Sequence, residues 1–189
     1  MFIDTYNNLT LKTISTLEWS WTHCSRVKFV LKTDDDVYIH TPVLLDILDR
    51  VKNRSQTIMG YFAKGWKPVR DTKSHYYISK SQFKEKKFPN FHTGPAYVLT
   101  SDIVEQLYRA ALNETFFKLE DVYITGMIAN NQSNSNIQHL HYPQFLNSRP
   151  KKREMLNTCV MAKLAAVHEI RKEEMFDLWR RLSDGLSNC

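Results

Sequence analysis

Hydrophobic positions along this chain change their period several times, and each change predicts a change of element. Leu9, Thr13, Leu17 and Trp21 recur every four residues, which places them on one face of a helix over about residues 5–21. The run RVKFVLKT, residues 26–33, has the β-branched and aromatic content of a strand and breaks at once into Asp34, Asp35 and Asp36. Residues 37–39 resume an extended pattern. Thr41-Pro42 then resembles a helix start, with Thr as N-cap and Pro at the first helical position, and Val43, Leu44, Ile47, Leu48 and Val51 supply one apolar face.

Residues 57–62 predict a second short strand, followed by a Gly-, Pro- and Lys-containing stretch over about 64–74 without periodicity. Residues 75–79 are expected to extend again. Residues 88–94 are turn-like through Pro89, Asn90 and Gly94, and lead into a strand over residues 96–100. Ser101 and Asp102 are expected to start a helix whose face holds Ile103, Leu107 and Leu112. A further helix is expected from Glu120 to about Ala129, and the polar run over residues 130–138 predicts a loop. Met175, Leu178, Trp179, Leu182 and Leu186 form the clearest stripe on the chain. There is no internal repeat and no linker. Strands alternating with helices predict one α/β layered domain over residues 1–189.

Composition narrows the classes without choosing among them. A hydrophobic fraction of 42% supports a packed core and excludes disorder, collagen and coiled coil. No run reaches the roughly 18 apolar residues of a membrane span, and the N-terminus lacks the basic and apolar regions of a secretory signal. Four Asn-x-Ser/Thr triplets, at Asn8, Asn53, Asn113 and Asn131, are potential glycan acceptors, although such triplets also arise by chance. Three cysteines leave at least one thiol without an intrachain partner. The net charge of +6 gathers in Lys64–Lys73, Lys80–Lys87 and Arg149–Arg153, which suits either a solvated surface or steering of a phosphate-bearing ligand. No nucleic-acid-binding module accompanies it, so no nucleic-acid partner is expected.

Three positions could carry chemistry. The carboxylates of Asp34, Asp35 and Asp36 repel one another at a strand end and favour a counter-ion; in an extended segment Asp34 and Asp36 face one ligand while Asp35 faces elsewhere. Hard oxygen ligands suit Mn²⁺ or Mg²⁺ with a diphosphate completing the shell, and a solvated acidic loop is the plain alternative. Glu120 and Asp121 open a helix, either as capping residues or with one of them held as a general base toward an acceptor hydroxyl. His168, just before the last stripe, is either structural or a nitrogen ligand for the same ion. Trp66, Tyr77, His92 and Gly94 either shape a pocket or pack in the core.

The blocks DTYNNLTLKT, KFVLKTDDDVYI, GYFAKGWKPVRD, the run from FPNF to TGPAYVLT, EDVYITGMIA and AAVHEIRKEEMFDLWRRL, in that order, resemble the β-1,3-galactosyltransferase family, which includes β-1,3-N-acetylglucosaminyltransferases. The resemblance covers nearly the whole chain. It implies a GT-A-like nucleotide-diphospho-sugar transferase fold, a mixed sheet flanked by helices, and a Golgi-luminal protein joined to the membrane only through an anchor outside this sequence. It implies inverting transfer of galactose or N-acetylglucosamine from UDP-galactose or UDP-N-acetylglucosamine to the 3-hydroxyl of an acceptor glycan on protein or lipid, with Mn²⁺, or Mg²⁺, as cofactor. By resemblance Asp36, Asp34 and His168 are the metal ligands, and Lys32, Asp34, Asp35, Trp66 and Gly94 belong to the donor site. The resemblance likewise implies Asp121 as the general base, beside Glu120.

Two departures qualify those expectations. The family's domain extends upstream of the helix expected near Thr5, so part of the nucleotide-binding half is expected to be missing and an apolar sheet edge exposed. This leaves open an inactive relative that binds a glycan or a partner protein. His92 stands where many members carry a cysteine, which leaves Cys24 unpaired and gives Cys159 to Cys189, or leaves both reduced.

Overall fold

The computed structural model describes residues 2–131 and 136–183. The long strand β4 (Phe91–Thr100) is its axis, with β1 (Phe29–Thr33) antiparallel on one side and β3 (Thr57–Ala63) antiparallel on the other. β3 pairs in parallel with β5 (Gln138–His141), giving the order β1-β4-β3-β5. Both faces of this sheet are covered, so its central strands read as continuous apolar runs rather than as alternating ones. The period of two still sorts them. Tyr97, Leu99 and Ile58 face a core shared with α1 (Leu9–His23), α3 (Val104–Asn113) and a π-helix (Val122–Ile128). Ala96, Val98 and Met59 face Leu44 and Ile47 of α2 (Thr41–Arg50).

A smaller sheet follows from the chain's turn at the aspartates. β2 (Tyr38–Ile39) pairs antiparallel with β7 (Ala166–Val167), which pairs in parallel with β6 (Phe145–Leu146). Tyr38, Val167 and Ile170 join Met155 of α5 (Lys152–Leu156), Met161 of α6 (Thr158–Met161) and Leu178 of α7 (Lys172–Ser183) in a third cluster. Mixed sheets flanked by helices make this a GT-A-like α/β arrangement.

Several local expectations are corrected. α1 starts at Leu9, after a 3₁₀ turn (Tyr6–Asn8), and buries Thr10, Thr13, Leu17 and Ser20. Hydroxyl residues can hold that face because Thr10 donates to the Phe117 carbonyl at 2.8 Å; Trp21 packs against the core as expected and also stacks with the Arg109 guanidinium at 4.9 Å. His40 rather than Thr41 is the N-cap of α2, with Pro42 in the first turn as expected. Residues 75–79 do not form a strand. Arg70 gathers that loop instead, donating at 2.7 Å to the carbonyls of Ile78 and Phe83. The turn expected over residues 88–94 is strand from Phe91 onward.

At the other end of β4, Ser101 begins a 3₁₀ turn (Ser101–Ile103) without a side-chain cap, and Asp102 accepts from the Gln56 amide at 2.8 Å. The helix after Glu120 is wound as π and continues as α4 (Ala129–Asn131), so the expected loop begins later; residues 132–135 lie outside the described ones. Gln138 already belongs to β5. Leu112 and Trp179 are exposed rather than on their apolar faces, and Leu186 lies outside the described residues. Cys24 is a free thiol and Cys159 is disulfide-bonded; Cys189, its expected partner, lies outside the described residues.

Where β3, β4 and β5 run side by side, three rings stack: Phe62 on His139 at 4.8 Å and His139 on His92 at 5.3 Å. His92 is fully buried with neither ring nitrogen in a well-formed hydrogen bond. Burial and the adjacent imidazoles bring its pKa to about 3, from an ordinary 6.5. The folded chain therefore keeps His92 neutral, while the unfolded chain protonates it below 6.5. Stability is complete above that value and declines as pH falls toward about 3, by up to about 1.4 kcal/mol per pH unit. Urea unfolding at pH 7 and pH 5 should show this loss, and His92→Phe should flatten it; an unchanged pH dependence in that variant would acquit His92.

Candidate active site

β1 carries Lys32 inward, and the buried ammonium must find counter-charge. It donates to Asp34 Oδ1 and to the Gly94 carbonyl, both at 2.6 Å, and stands 3.4 Å from Glu120 Oε2 and 5.9 Å from the Tyr97 ring centre. Burial opposes the charge, but Glu120 and Asp34 outweigh it and hold the ammonium above its ordinary range. Burial pushes the Glu120 carboxyl upward, against the pull of Lys32 and of the Tyr97 hydroxyl, which donates to Oε1 at 2.6 Å.

Gly94 can serve this centre because Pro95 follows it. Proline brings no N–H to the ladder, β1 pairs with β4 only as far as Ala96, and the pairing of β3 with β4 shifts between Gly60 and Phe62. The polar groups of Gly94 are thus left for side chains. Its N–H donates to Asp121 Oδ2 at 2.9 Å, while Oδ1 accepts from the Val122 N–H at 2.8 Å. Burial raises the Asp121 pKa, and these two amide donors counter it by favouring the ionised form. Gly94 has no positive φ, and a Cβ there would meet Asp121 Oδ2 at 3.4 Å, the edge of ordinary van der Waals contact.

The aspartate triplet is divided by a turn at Asp35 and Asp36. Asp34 is drawn to Lys32, Asp35 is exposed, and Asp36 Oδ2 lies 3.4 Å from His168 Nε2. The antiparallel pairing of Tyr38 with Val167 produces that last meeting, reinforced by the Ile170 N–H donating to the Asp36 carbonyl at 2.9 Å. His168 Nδ1 donates to the Asn147 carbonyl at 3.2 Å, which fixes the ring with Nε2 toward Asp36. A carboxylate and an oriented imidazole are ligands that suit a divalent cation with open positions. Asp34 does not join them, and among the described residues no group of three or more acidic, His or Cys side chains converges on one point.

The structure brings together Lys32, Asp34, Gly94, Glu120 and Asp121, and separately Asp36 and His168. Trp66 is not part of either group: its ring meets Phe91 edge-on at 5.6 Å. Sequence reasoning missed Tyr97, Tyr6 and Thr125. Tyr97 sits in an apolar strand where a hydroxyl was the only signal of a polar partner. Tyr6, in the turn before α1, is pushed above the ordinary phenol range by partial burial and by Tyr76, whose ring it meets edge-on at 6.4 Å.

Residues 1–141 match the galactosyltransferase family model. The chain belongs to the galactosyltransferase family. It is 32% identical over 185 residues to β-1,3-galactosyltransferase 1 of Mus musculus and of Homo sapiens, covering 96% of this chain and 54% of each relative. It is 29% identical over 184 residues to β-1,3-galactosyltransferase 5 of Homo sapiens, covering 97% of this chain and 57% of that one. The galactosyltransferase chain thus spans about half the length of the curated relatives it matches.

Lys32→Met in this galactosyltransferase chain would leave Glu120 and Asp34 without their cation, a loss expected to destabilise the fold by about 3–5 kcal/mol. Denaturant unfolding should show it, with much of the loss recovered when Glu120→Gln is added; equal stability of wild type and Lys32→Met would remove the ammonium from its central place.

Proposed function

We propose that this chain is the catalytic part of an inverting glycosyltransferase that moves galactose from UDP-galactose to the 3-hydroxyl of an acceptor glycan on protein or lipid. The observation that carries this reading is the Asp121 carboxylate, held by two peptide N–H groups beside the buried Lys32 centre. Family membership supplies the class of reaction. UDP-N-acetylglucosamine is the second donor that the reading admits.

Glu120 is committed to Tyr97 and Lys32, so we assign the proton acceptor to Asp121. A pKa above the ordinary carboxylate value makes it a better base while the Gly94 and Val122 amides keep it aimed. The acceptor hydroxyl would give its proton to Asp121 as its oxygen attacks the anomeric carbon from the face opposite the departing UDP. Asp36 and His168 would hold Mn²⁺ or Mg²⁺, with the donor diphosphate and water completing the shell. Such a cation supplies positive charge against the developing charge of the leaving diphosphate. Lys32, Asp34 and Gly94 hold the frame in which these groups stand.

The reading places the protein in the Golgi lumen. No helix among the described residues is long and apolar enough to cross a membrane.

Transfer from UDP-galactose to a β-linked N-acetylglucosamine acceptor, followed with Mn²⁺ and with EDTA, tests the proposal. Asp121→Asn is expected to lower the turnover by about 10²–10⁴-fold while leaving UDP binding intact. His168→Ala and Asp36→Asn are expected to weaken the metal dependence of UDP binding measured by calorimetry. UDP binding that ignores Mn²⁺, or full transfer by Asp121→Asn, would overturn the reading and favour a glycan- or partner-binding relative.

A further inference from the structure

The hydroxyl of Thr125 is fully buried where the π-helix lies against β4. It accepts from the His92 N–H at 2.8 Å, and two carbonyls share its own proton: Asp121 at 2.6 Å and His92 at 3.0 Å. One side chain therefore ties the peptide of Asp121 to β4. His92 lies two residues before Gly94, whose N–H holds the carboxylate of the same aspartate. Asp121 is gripped twice by one strand, through its carbonyl by way of Thr125 and through Oδ2 directly.

The local winding accompanies the grip. A threonine hydroxyl that turns back to the carbonyl four residues earlier competes with the backbone N–H for that acceptor, and a π segment frees the carbonyl by moving the backbone bond to the fifth residue. The next residue, Gly126, permits the close approach: a Cβ there would stand 3.0 Å from Phe91 Cβ. The hydroxyl thus sits where the helix lies close against the strand.

We infer that Thr125 is a positioning residue for Asp121, setting the carboxylate against the Gly94 amide and hence its aim at the acceptor hydroxyl. The inference rests on the assignment of Asp121 as proton acceptor only for its effect on turnover. The clamp itself is read independently, in the exchange of one amide.

Thr125→Val keeps the shape and removes the hydroxyl, and Thr125→Ser keeps the hydroxyl. By NMR hydrogen exchange on the full chain, the Gly94 amide in Thr125→Val should exchange roughly tenfold faster, the equivalent of about one lost hydrogen bond, while those of Val98 and Leu99 hold their protection. Turnover with UDP-galactose should fall by a similar factor at unchanged donor KM, and Thr125→Ser should restore both. Should Thr125→Val fail to fold, Thr125→Cys, whose thiol is a weak donor, replaces it with the same expectation. Native Gly94 protection in the variant without the hydroxyl, or no recovery in Thr125→Ser, overturns the clamp. Active Asp121→Asn together with a lost Gly94 protection in Thr125→Val would instead refute the assignment of Asp121 and leave the clamp standing.

Discussion

An ammonium group cannot be taken out of water alone, and the burial of Lys32 organises what surrounds it. Its contacts draw from three separated stretches of chain: Asp34 at the end of its own strand, Gly94 on β4, and Glu120 at the entrance to the π-helix. Glu120 alone would be as costly to bury as the lysine, while Asp34 keeps part of its carboxylate in water. Together with the Tyr97 hydroxyl they form a network in which every charge has a partner, the condition under which a low-dielectric interior strengthens polar contacts instead of penalising them. The meeting of β1, β4 and the π-helix is therefore specified by charge as well as by apolar packing.

The second consequence concerns how the aspartates are shared. Three adjacent carboxylates on one surface would repel one another, and the turn between β1 and β2 distributes them: one to Lys32, one to solvent, one to His168. The same turn hands the chain from the larger sheet to the smaller. An internal cation on one side and an open pair of ligands on the other thus stand a few residues apart in sequence.

Much of the fold was legible because it rests on period. β1, β3, α2 and the core face of α7 follow from apolar spacing, and residue chemistry picks out the aspartates, Glu120 with Asp121, and His168 as candidates, of which Asp36 and His168 do meet. What escaped has physical causes. Phe91–Pro95 contains Thr, Gly and Pro and so resembles a turn, but a strand whose ladder is interrupted on purpose needs such residues. Residues 75–79 have strand composition but pair only through a single bridge of Tyr77 with Val69, and Arg70 takes up the Ile78 carbonyl. A π winding has no periodic signature in seven residues, and the value of a hydroxyl at Thr125 or Tyr97 depends on which backbone arrives opposite it.

A π segment spends one residue more than an α-helix over the same hydrogen-bonded span. Loss of that residue would let the stretch relax to ordinary winding while the turns on either side keep nearly the same span. The carbonyl of Asp121 would then take the N–H four residues on beside the Thr125 hydroxyl it already holds. Identity leaves less freedom here than winding does: residues 122–126 and Ile128 are buried, and at Gly126 a single added carbon would meet Phe91 at 3.0 Å.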